Sequence, residues 1–458
     1  AVQAYNTQCI SGPIEFHLTD ALYSTGETFP IQINSNIYAS SVNTLTIRPS
    51  VGHVVSIIGH DPVAVIQLRG ADHILIEGSN APGGNTSDLT IQNDHASATE
   101  NAVIWIQGLS ALDGATYNSI QHCVIRGKSS VTTGAGIMLS GLSWNTPAEG
   151  ANHHILIKHN TIESAQKAIC LIGAGQDSLN VIEYNVIGSS VPENQLGVAG
   201  VMLESQTKAQ INNNIIQGVI NAQNQTVSGI YVSGGSTGIS IYNNDISSIR
   251  NSQPAANGAH GIYLASSETN AGIQVYNNFI SGVSAYGSTV SRDASNNGYG
   301  LIIDGGGGYT IWFNSIVMDQ SQTIQGFPSA VNISSGVTAA SSIDLRNNLL
   351  GNLQTQPGDH LVLQSSAPAS VFNFIDYNNY FNASGALGYI NGNRVSLADL
   401  RSGFGNNSHS LNVIPVFAAA GNWHIDPTVI GNALNLGDRG IPVSIPVDID
   451  GASRNGLA

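Results

Sequence analysis

An asparagine recurs through the middle of this 458-residue chain at intervals too short to be separate domains. Asn160, Asn185, Asn214, Asn244, Asn278, Asn314 and Asn348 each close a short run rich in aliphatics, followed by one free residue and another aliphatic. The steps between them are 25, 29, 30, 34, 36 and 34 residues. Asn379 continues the series, and Cys123 holds the matching place upstream of Asn160. A unit of this length cannot bury a core alone and must stack on its neighbours. Each unit therefore reads as one coil of a solenoid. Asn suits a corner because it tolerates left-handed backbone and its amide can bond the amide of the next coil.

A second strand recurs between the asparagines, as in Gly136-Ile-Met-Leu139, Gly229-Ile-Tyr-Val232 and Gly261-Ile-Tyr-Leu264, and a third short one follows the Asn at Ile246–Ile249 and Ile280–Val283. The irregular spacing speaks against a tight hexapeptide prism. The expected fold is all-β: a single-stranded, right-handed parallel β-helix with capped ends. One domain spans 1–458, with an N-terminal cap over 1–35, coils over 36–382 and an irregular C-terminal cap over 383–458. Ser396-Leu-Ala-Asp-Leu-Arg401 is the convincing helical turn of that cap.

Composition narrows the function classes. Only 9% of residues are charged against 41% hydrophobic, with 51 glycines, which suits an all-β extracellular protein better than a helical cytosolic enzyme. The net charge of −15, with 14 Lys+Arg, argues against nucleic acid as a partner and against a polybasic membrane patch. Membrane insertion is not expected, because no apolar run is long enough to span a bilayer. Cys9, Cys123 and Cys170 lack metal-ligand spacing, and Cys123 and Cys170 read as buried free thiols.

The stretch Phe16–Ile31, Leu45-Thr-Ile-Arg-Pro49 and Arg69–Gly78 resembles the N-terminal region of large secreted repeat proteins of Bacteroidota. The tail, with Asp376-Tyr-Asn-Asn-Tyr380, His409-Ser410, Pro415-Val-Phe417 and Asp448-Ile-Asp-Gly451, is similar to the close of their pectin-lyase-like β-helix domains. The resemblance implies a cell-surface or secreted location and export by the type IX route. It also implies that this chain is a piece of a longer polypeptide with further domains as partners. It implies little about activity, because the same scaffold carries lyases, hydrolases, adhesins and stalks.

Function must then be read from the outer faces. If Ile241 and Asn244 point inward, then Tyr242, Tyr276, Trp312, Arg346 and Tyr377 form an outward column. With coils about 4.8 Å apart, that strip would run roughly 20 Å. Rings can pack on the C–H faces of sugars, and Arg offers a forked donor. The competing reading is that these rings only cover a β surface.

For catalysis the residues are weaker. Glu204 and Asp304 lie about 14 Å apart on this alignment, too far for a glycosidase pair. His260, after the 251–259 loop, is the best single acid or base, with Arg250 nearby in sequence. The cluster His153-His154…His159 reads as solvated or stacked histidine, with His154 on an outward face and His159 at a corner. No cofactor is indicated; calcium is compatible with the fold, but no carboxylate cage gathers for it. The preferred reading is a non-catalytic extracellular module, adhesin- or stalk-like, whose aromatic strip binds polysaccharide or cell-surface glycan. The alternative is a polysaccharide lyase or glycoside hydrolase with a groove bounded by the loops at 251–259 and 284–298.

Overall fold

The computed structural model describes residues 1–96, 100–175, 177–221, 224–254, 257–292, 296–419, 421–429, 431, 440, 441 and 443–454. Two compact units make up the chain, residues 1–219 and 220–458. Both are built from the same parallel coil of three strands, contributing in turn to sheets A, B and C. The third strand expected after each Asn is thus real, and it forms sheet B. The coil is right-handed, as crossovers between parallel strands of one sheet nearly always are.

In unit 1, sheet A is built from Ile14–Leu18, Leu45–Pro49, Ile74–Glu77, Ser119–Gln121, Leu156–Lys158, Val181–Glu183 and Gln210–Asn212, in that order. Alternation along each short strand turns one residue inward. Register therefore stacks Ile47, Ile76, Ile120, Ile157, Ile182 and Ile211 into one buried column. Each such side chain contributes roughly 1.5–3 kcal/mol through removal from water. Sheet C supplies the facing wall through Ala102–Gln107, Ala135–Ser140, Lys167–Ile172 and Ala199–Glu204. Its outward column Trp105, Met138 and Cys170 is covered as well, and Trp144 from the following loop packs edge-on against Trp105 at 5.7 Å. Cys123 and Cys170 are buried free thiols, and burial pushes the Cys170 thiol up to about 11, whereas Cys9 is exposed. A short helix, Val2–Thr7, begins the unit, and its Asn6 amide clamps Gln32 O and Asn34 N.

In unit 2, sheet A runs through Ser240–Tyr242, Ile273–Tyr276, Tyr309–Trp312, Ile343–Arg346 and Phe372–Asp376. At its C-terminal end the helix Leu397–Phe404 begins with a capping box between Ser396 and Asp399 and buries Leu400 and Phe404. A hairpin, Phe417–Ala419 with Asn422–Ile425, lies over Val317, Leu349 and Phe381 of sheet B.

The buried amides behave as the repeat demands. In unit 1 the Cys123 backbone N–H donates to Asn160 Oδ1 at 2.9 Å, Asn160 N–H to Asn185 Oδ1 at 3.0 Å, and Asn185 N–H to Asn214 Oδ1 at 3.0 Å. In unit 2 the same bond links Asn244 to Asn278, Asn278 to Asn314, and Asn314 to Asn348, at 3.0–3.1 Å. The next rung corrects the sequence reading, because it is Asn378 that accepts from Asn348 at 3.0 Å, and not Asn379. Strand Phe372–Asp376 pairs with Ile343–Arg346 so that Asp376, and not Tyr377, stands beside Arg346, which makes Tyr377 the corner residue and Asn378 the rung. Asn378 in turn donates its backbone N–H to Ser410 Oγ at 3.2 Å. Asn379 instead bonds Val413 through both its amide atoms.

Candidate functional site

Five sheet A strands of unit 1, from Ile74–Glu77 to Gln210–Asn212, follow a left-handed leading corner, and the last four also end at a left-handed trailing corner. At the trailing corner the residue before each buried ladder position is left-handed: His122, His159, Tyr184 and Asn213 all have φ between 53° and 55°. The leading corner repeats the device, with His73, Tyr117, His154, Leu179 and Lys208 at φ 54–58°. Here too buried amides hold the turn, since Asn118 Oδ1 accepts from Ile74 N and Asn180 Oδ1 accepts from Ile155 N, both at 2.9 Å. A left-handed non-glycine residue costs on the order of 1–2 kcal/mol. Unit 2 avoids that cost at three leading corners with Gly238, Gly272 and Gly308, while Ser341 is left-handed ahead of Ile343. In unit 1 six of these nine corner positions carry a ring.

Those rings form two short ladders. At the leading corner Tyr117 stacks on His73 at 5.0 Å and on His154 at 4.5 Å, with His153 edge-on to it at 5.5 Å. At the trailing corner His159 stacks on His122 and on Tyr184, both at 5.1 Å. His154 is therefore a corner residue and not an outward strand residue, which corrects the sequence reading; its stacked character is as expected.

Between the ladders lies the outer face of sheet A. Register aligns Thr46, Leu75, Ser119, Leu156, Val181 and Gln210 in one column. Glu77, Gln121, Lys158, Glu183 and Asn212 form the other. An open groove of about 840 Å³ lies on this face, lined by Ser40, Thr44, Thr46, His73, Leu75, Tyr117, Ser119 and Gln121. Tyr117 is 48% exposed. The walls offer ring edges with their hydroxyl and nitrogen groups, while the floor offers hydroxyls, an amide and the apolar side chain of Leu75.

The charges of this face are largely held in place. Glu77 accepts from His122 Nδ1 at 2.9 Å, from Gln121 Nε2 at 2.7 Å and from Ser79 N at 2.9 Å. Asp72 Oδ1 accepts from Thr116 N at 2.7 Å and from its hydroxyl at 2.5 Å. His153 and His154 share a hydrogen bond between their Nδ1 atoms at 2.7 Å. Burial, and then the neighbouring His154, holds His153 below the usual histidine range; burial, and then His122 and Lys158, does the same for His159. Among the described residues no three His, Cys, Asp or Glu side chains stand together as a metal would need, and no helix is long and apolar enough to cross a membrane.

The residues singled out from sequence lie elsewhere, in unit 2 except for Glu204. Tyr242 and Tyr276 stack at 4.9 Å with planes 3° apart. Rings tiled flat in one plane would need about 7 Å to keep their edges at contact distance. The pair is therefore an offset stack that turns ring faces toward each other. Burial, and then Tyr242, pushes the Tyr276 hydroxyl up to about 12. Trp312 follows in register, and the Arg346 guanidinium lies 5.0 Å from its ring and 4.6 Å from Phe374 while paired with Asp344. Tyr377 is not in this column; it is a left-handed corner residue stacked on His409 at 4.6 Å. The pairing of Asp376 with Arg346 that sets the ladder rung at Asn378 sets this residue at the corner.

His260 is fully buried in sheet C, between the rings of Tyr263 and Tyr299 at 5.2 and 5.8 Å. A group with no exposed surface cannot reach a polymer, so it does not serve as the acid or base expected. Arg250 belongs to sheet B, beside Ser284. Asp304 accepts from the Tyr263 hydroxyl, and in unit 1 Glu204 ends a sheet C strand beside Ile172. Parts of the two loops expected to bound an enzyme groove, residues 255–256 and 293–295, lie outside the described residues. The unit 1 groove was missed from sequence because its rings sit on corners rather than on strands. The available signal was the recurring ring–Asn pair: Tyr117-Asn118, His159-Asn160 and Tyr184-Asn185.

Residues 148–316 match a family model described as a right handed beta helix region, in agreement with the coil above. No curated protein sequence matches the chain. Among solved structures it is similar to the A-module of mannuronan C-5 epimerase AlgE6 from Azotobacter vinelandii, at 12% identity and a TM-score of 0.44, over 91% of this chain and 94% of that one. A mannuronic acid specific polysaccharide family 6 lyase from human gut microbiota aligns at 14% identity and a TM-score of 0.40, over 82% and 83% of the two chains. The Dettilon tailspike protein aligns at 13% identity and a TM-score of 0.34, over 76% of this chain and 58% of that one.

Proposed function

We propose that the chain is a non-catalytic extracellular β-helix module that binds polysaccharide along the outer face of sheet A in unit 1. One observation carries the reading: the groove is walled by His73 and Tyr117, held left-handed at a corner where three coils of unit 2 use glycine. Backbone strain of that kind persists when something else over-determines it, and it gathers at binding sites. The lining suits a sugar chain, whose hydroxyls can meet Ser119, Gln121 and the Tyr117 hydroxyl while its C–H faces meet Leu75. The sparse charge and the many polar side chains support the extracellular location.

Tyr117→Gly is the informative variant. It relieves about 1–2 kcal/mol of backbone strain and forfeits two ring stacks of about 0.5–1.5 kcal/mol each. Net stability should hardly change, so a binding defect would report on the site itself. The assay is affinity electrophoresis of the full chain through gels containing single polysaccharides, with new reducing and unsaturated ends followed in parallel. Retention on at least one glycan that Tyr117→Gly abolishes, without new ends, is expected. Unchanged retention in the variant would move the site elsewhere, and new ends would make the chain an enzyme.

A further inference from the structure

The two ring ladders are unusually rich in a group that titrates near neutrality. Of the chain's 13 histidines, His73, His122, His153, His154 and His159 all stand on the rims of this one face. An unperturbed histidine changes charge at about pH 6.5. We propose that the groove of unit 1 is proton-gated: as its rim histidines charge, it gains affinity for polysaccharides bearing carboxylate or sulfate groups. The inference rests on the glycan-binding reading above and adds its regulation.

The surrounding charges decide the sign. Facing the leading rim are Asp72, held by Thr116, and Asp113, whose carboxyl is raised by burial, with Asp72 adding to the shift. Facing the trailing rim are Glu77, bound to His122, and Glu183 and Lys158, which adjoin His159. Lys208 stands two leading corners beyond His154, past Leu179, and Tyr184 ends the trailing ladder. With the histidines neutral, carboxylates outnumber amines here and the face is mildly acidic, like the chain as a whole. With them protonated, cations outnumber carboxylates and the face turns basic on an acidic molecule.

The ladders also explain why a ligand would couple to this change. His122 and His159 lie parallel at 5.1 Å, so a second proton there meets a like charge. The His153–His154 hydrogen bond requires that at least one of its two facing nitrogens be unprotonated, so full charging must break it. Burial together with these neighbours holds His153 and His159 below the usual histidine range. An anionic chain laid between the rims relieves the repulsion and draws the protons on. Each exposed ion pair contributes severalfold at most; several together should raise affinity on the order of tenfold to a hundredfold between pH 7.5 and pH 5.

The test uses the full chain, with polygalacturonate and dextran sulfate as anionic probes and a neutral glucan as reference, at fixed ionic strength. Sulfate does not titrate in this range, so a pH effect on dextran sulfate reports on the protein. The partner variant is His122→Asn with His159→Asn; Asn tolerates left-handed corners, and Asn213 already occupies an equivalent one. The expected result is an affinity ratio between pH 5 and pH 7.5 of at least tenfold for both anionic probes, reduced severalfold in the double variant, which keeps the three histidines of the leading rim, with its melting curve intact. A flat ratio in the wild type, or an undiminished ratio in the variant, overturns the gate. Failure of every probe at both pH values would instead overturn the binding reading on which the gate rests.

Discussion

In Asn185→Ala one internal rung of the buried ladder disappears while the outward face stays as it is. The amide of Asn185 makes four bonds: its Oδ1 accepts from Asn160 N and Nδ2 at 3.0 and 3.1 Å, and its Nδ2 donates to Ile157 O and Asn214 Oδ1, both at 2.9 Å. Asn160 Nδ2 keeps Ile120 O, and Asn214 Oδ1 keeps the Asn185 backbone N–H. The Asn160 backbone N–H loses the partner it had in the ladder. One orphaned buried donor costs about 1–3 kcal/mol and three further lost bonds about 1 kcal/mol each, so the sum is about 4–6 kcal/mol. For a unit of this size, each kcal/mol moves the melting temperature by about 2–4 °C. Calorimetry should therefore show unit 1 melting about 10–20 °C lower, while Gln210→Ala on the outer face of the same sheet moves it little. Asn185→Asp sharpens the point, since a carboxylate cannot donate to Ile157 O. Its folded pKa must lie above the unfolded value, so this variant should lose further stability, relative to wild type, as pH rises through and beyond about 4. A melting shift below about 3 °C for the alanine variant would mean that the amide stack is not what ties the coils together.

Other outcomes follow from single groups. Burial drives the Asp177 carboxyl up to about 6 against the opposing N–H groups of Asn152 and Ala174. The folded value lies above the unfolded one, so unit 1 should lose roughly 3 kcal/mol between pH 4 and pH 7.5, and urea midpoints of Asp177→Asn should lack that slope. For Asp376, burial alone would raise the carboxyl, but bonds from the His409 ring and backbone, Tyr377 N and the Ser408 hydroxyl hold it below its usual value. That stabilisation is present above the unfolded pKa of about 3.9 and is lost on further acidification, so Asp376→Asn should blunt the acid unfolding of unit 2. In unit 2 the Asn347 side chain pairs with both backbone groups of Ile441, and the Asn277 side chain donates to Val447 O. Asn277→Ala with Asn347→Ala should make the 441–454 segment far more sensitive to protease, with little change in melting of the coils.

How much of this was legible depended on the scale of the signal. The Asn spacing and the aliphatic runs sufficed for the coil, the three strands, the Ser396 helix and most ladder rungs, because the inward face has one chemistry repeated many times. Asn379 and Tyr377 failed together, because Tyr377-Asn-Asn looks like the Tyr-Asn-Asn of earlier rungs while the register pairs Asp376, one residue earlier, with Arg346. The outward column at Tyr242 and Tyr276 was placed correctly, but ring orientation follows from packing along the axis, which spacing does not encode. The unit 1 groove required knowing which corners are left-handed, and a lone His or Tyr does not announce that in the way glycine does.

The ladder has a direction. Within each unit the backbone N–H of a rung donates to the side-chain oxygen of the next rung toward the C-terminus; in unit 1 Cys123 begins its series without an amide of its own, and in unit 2 Ser410 ends its series with a hydroxyl. Internal rungs of a unit are thus interchangeable links with like couplings, whereas Cys123 in unit 1 and Ser410 in unit 2 are unique. A chain of this kind can lengthen or shorten by whole coils without disturbing either terminus, since an inserted coil bearing its own Asn meets matching partners on both sides. A fractional coil breaks the line wherever it is placed. Growth by complete turns, with the ends left as they are, is the form of variation this architecture permits.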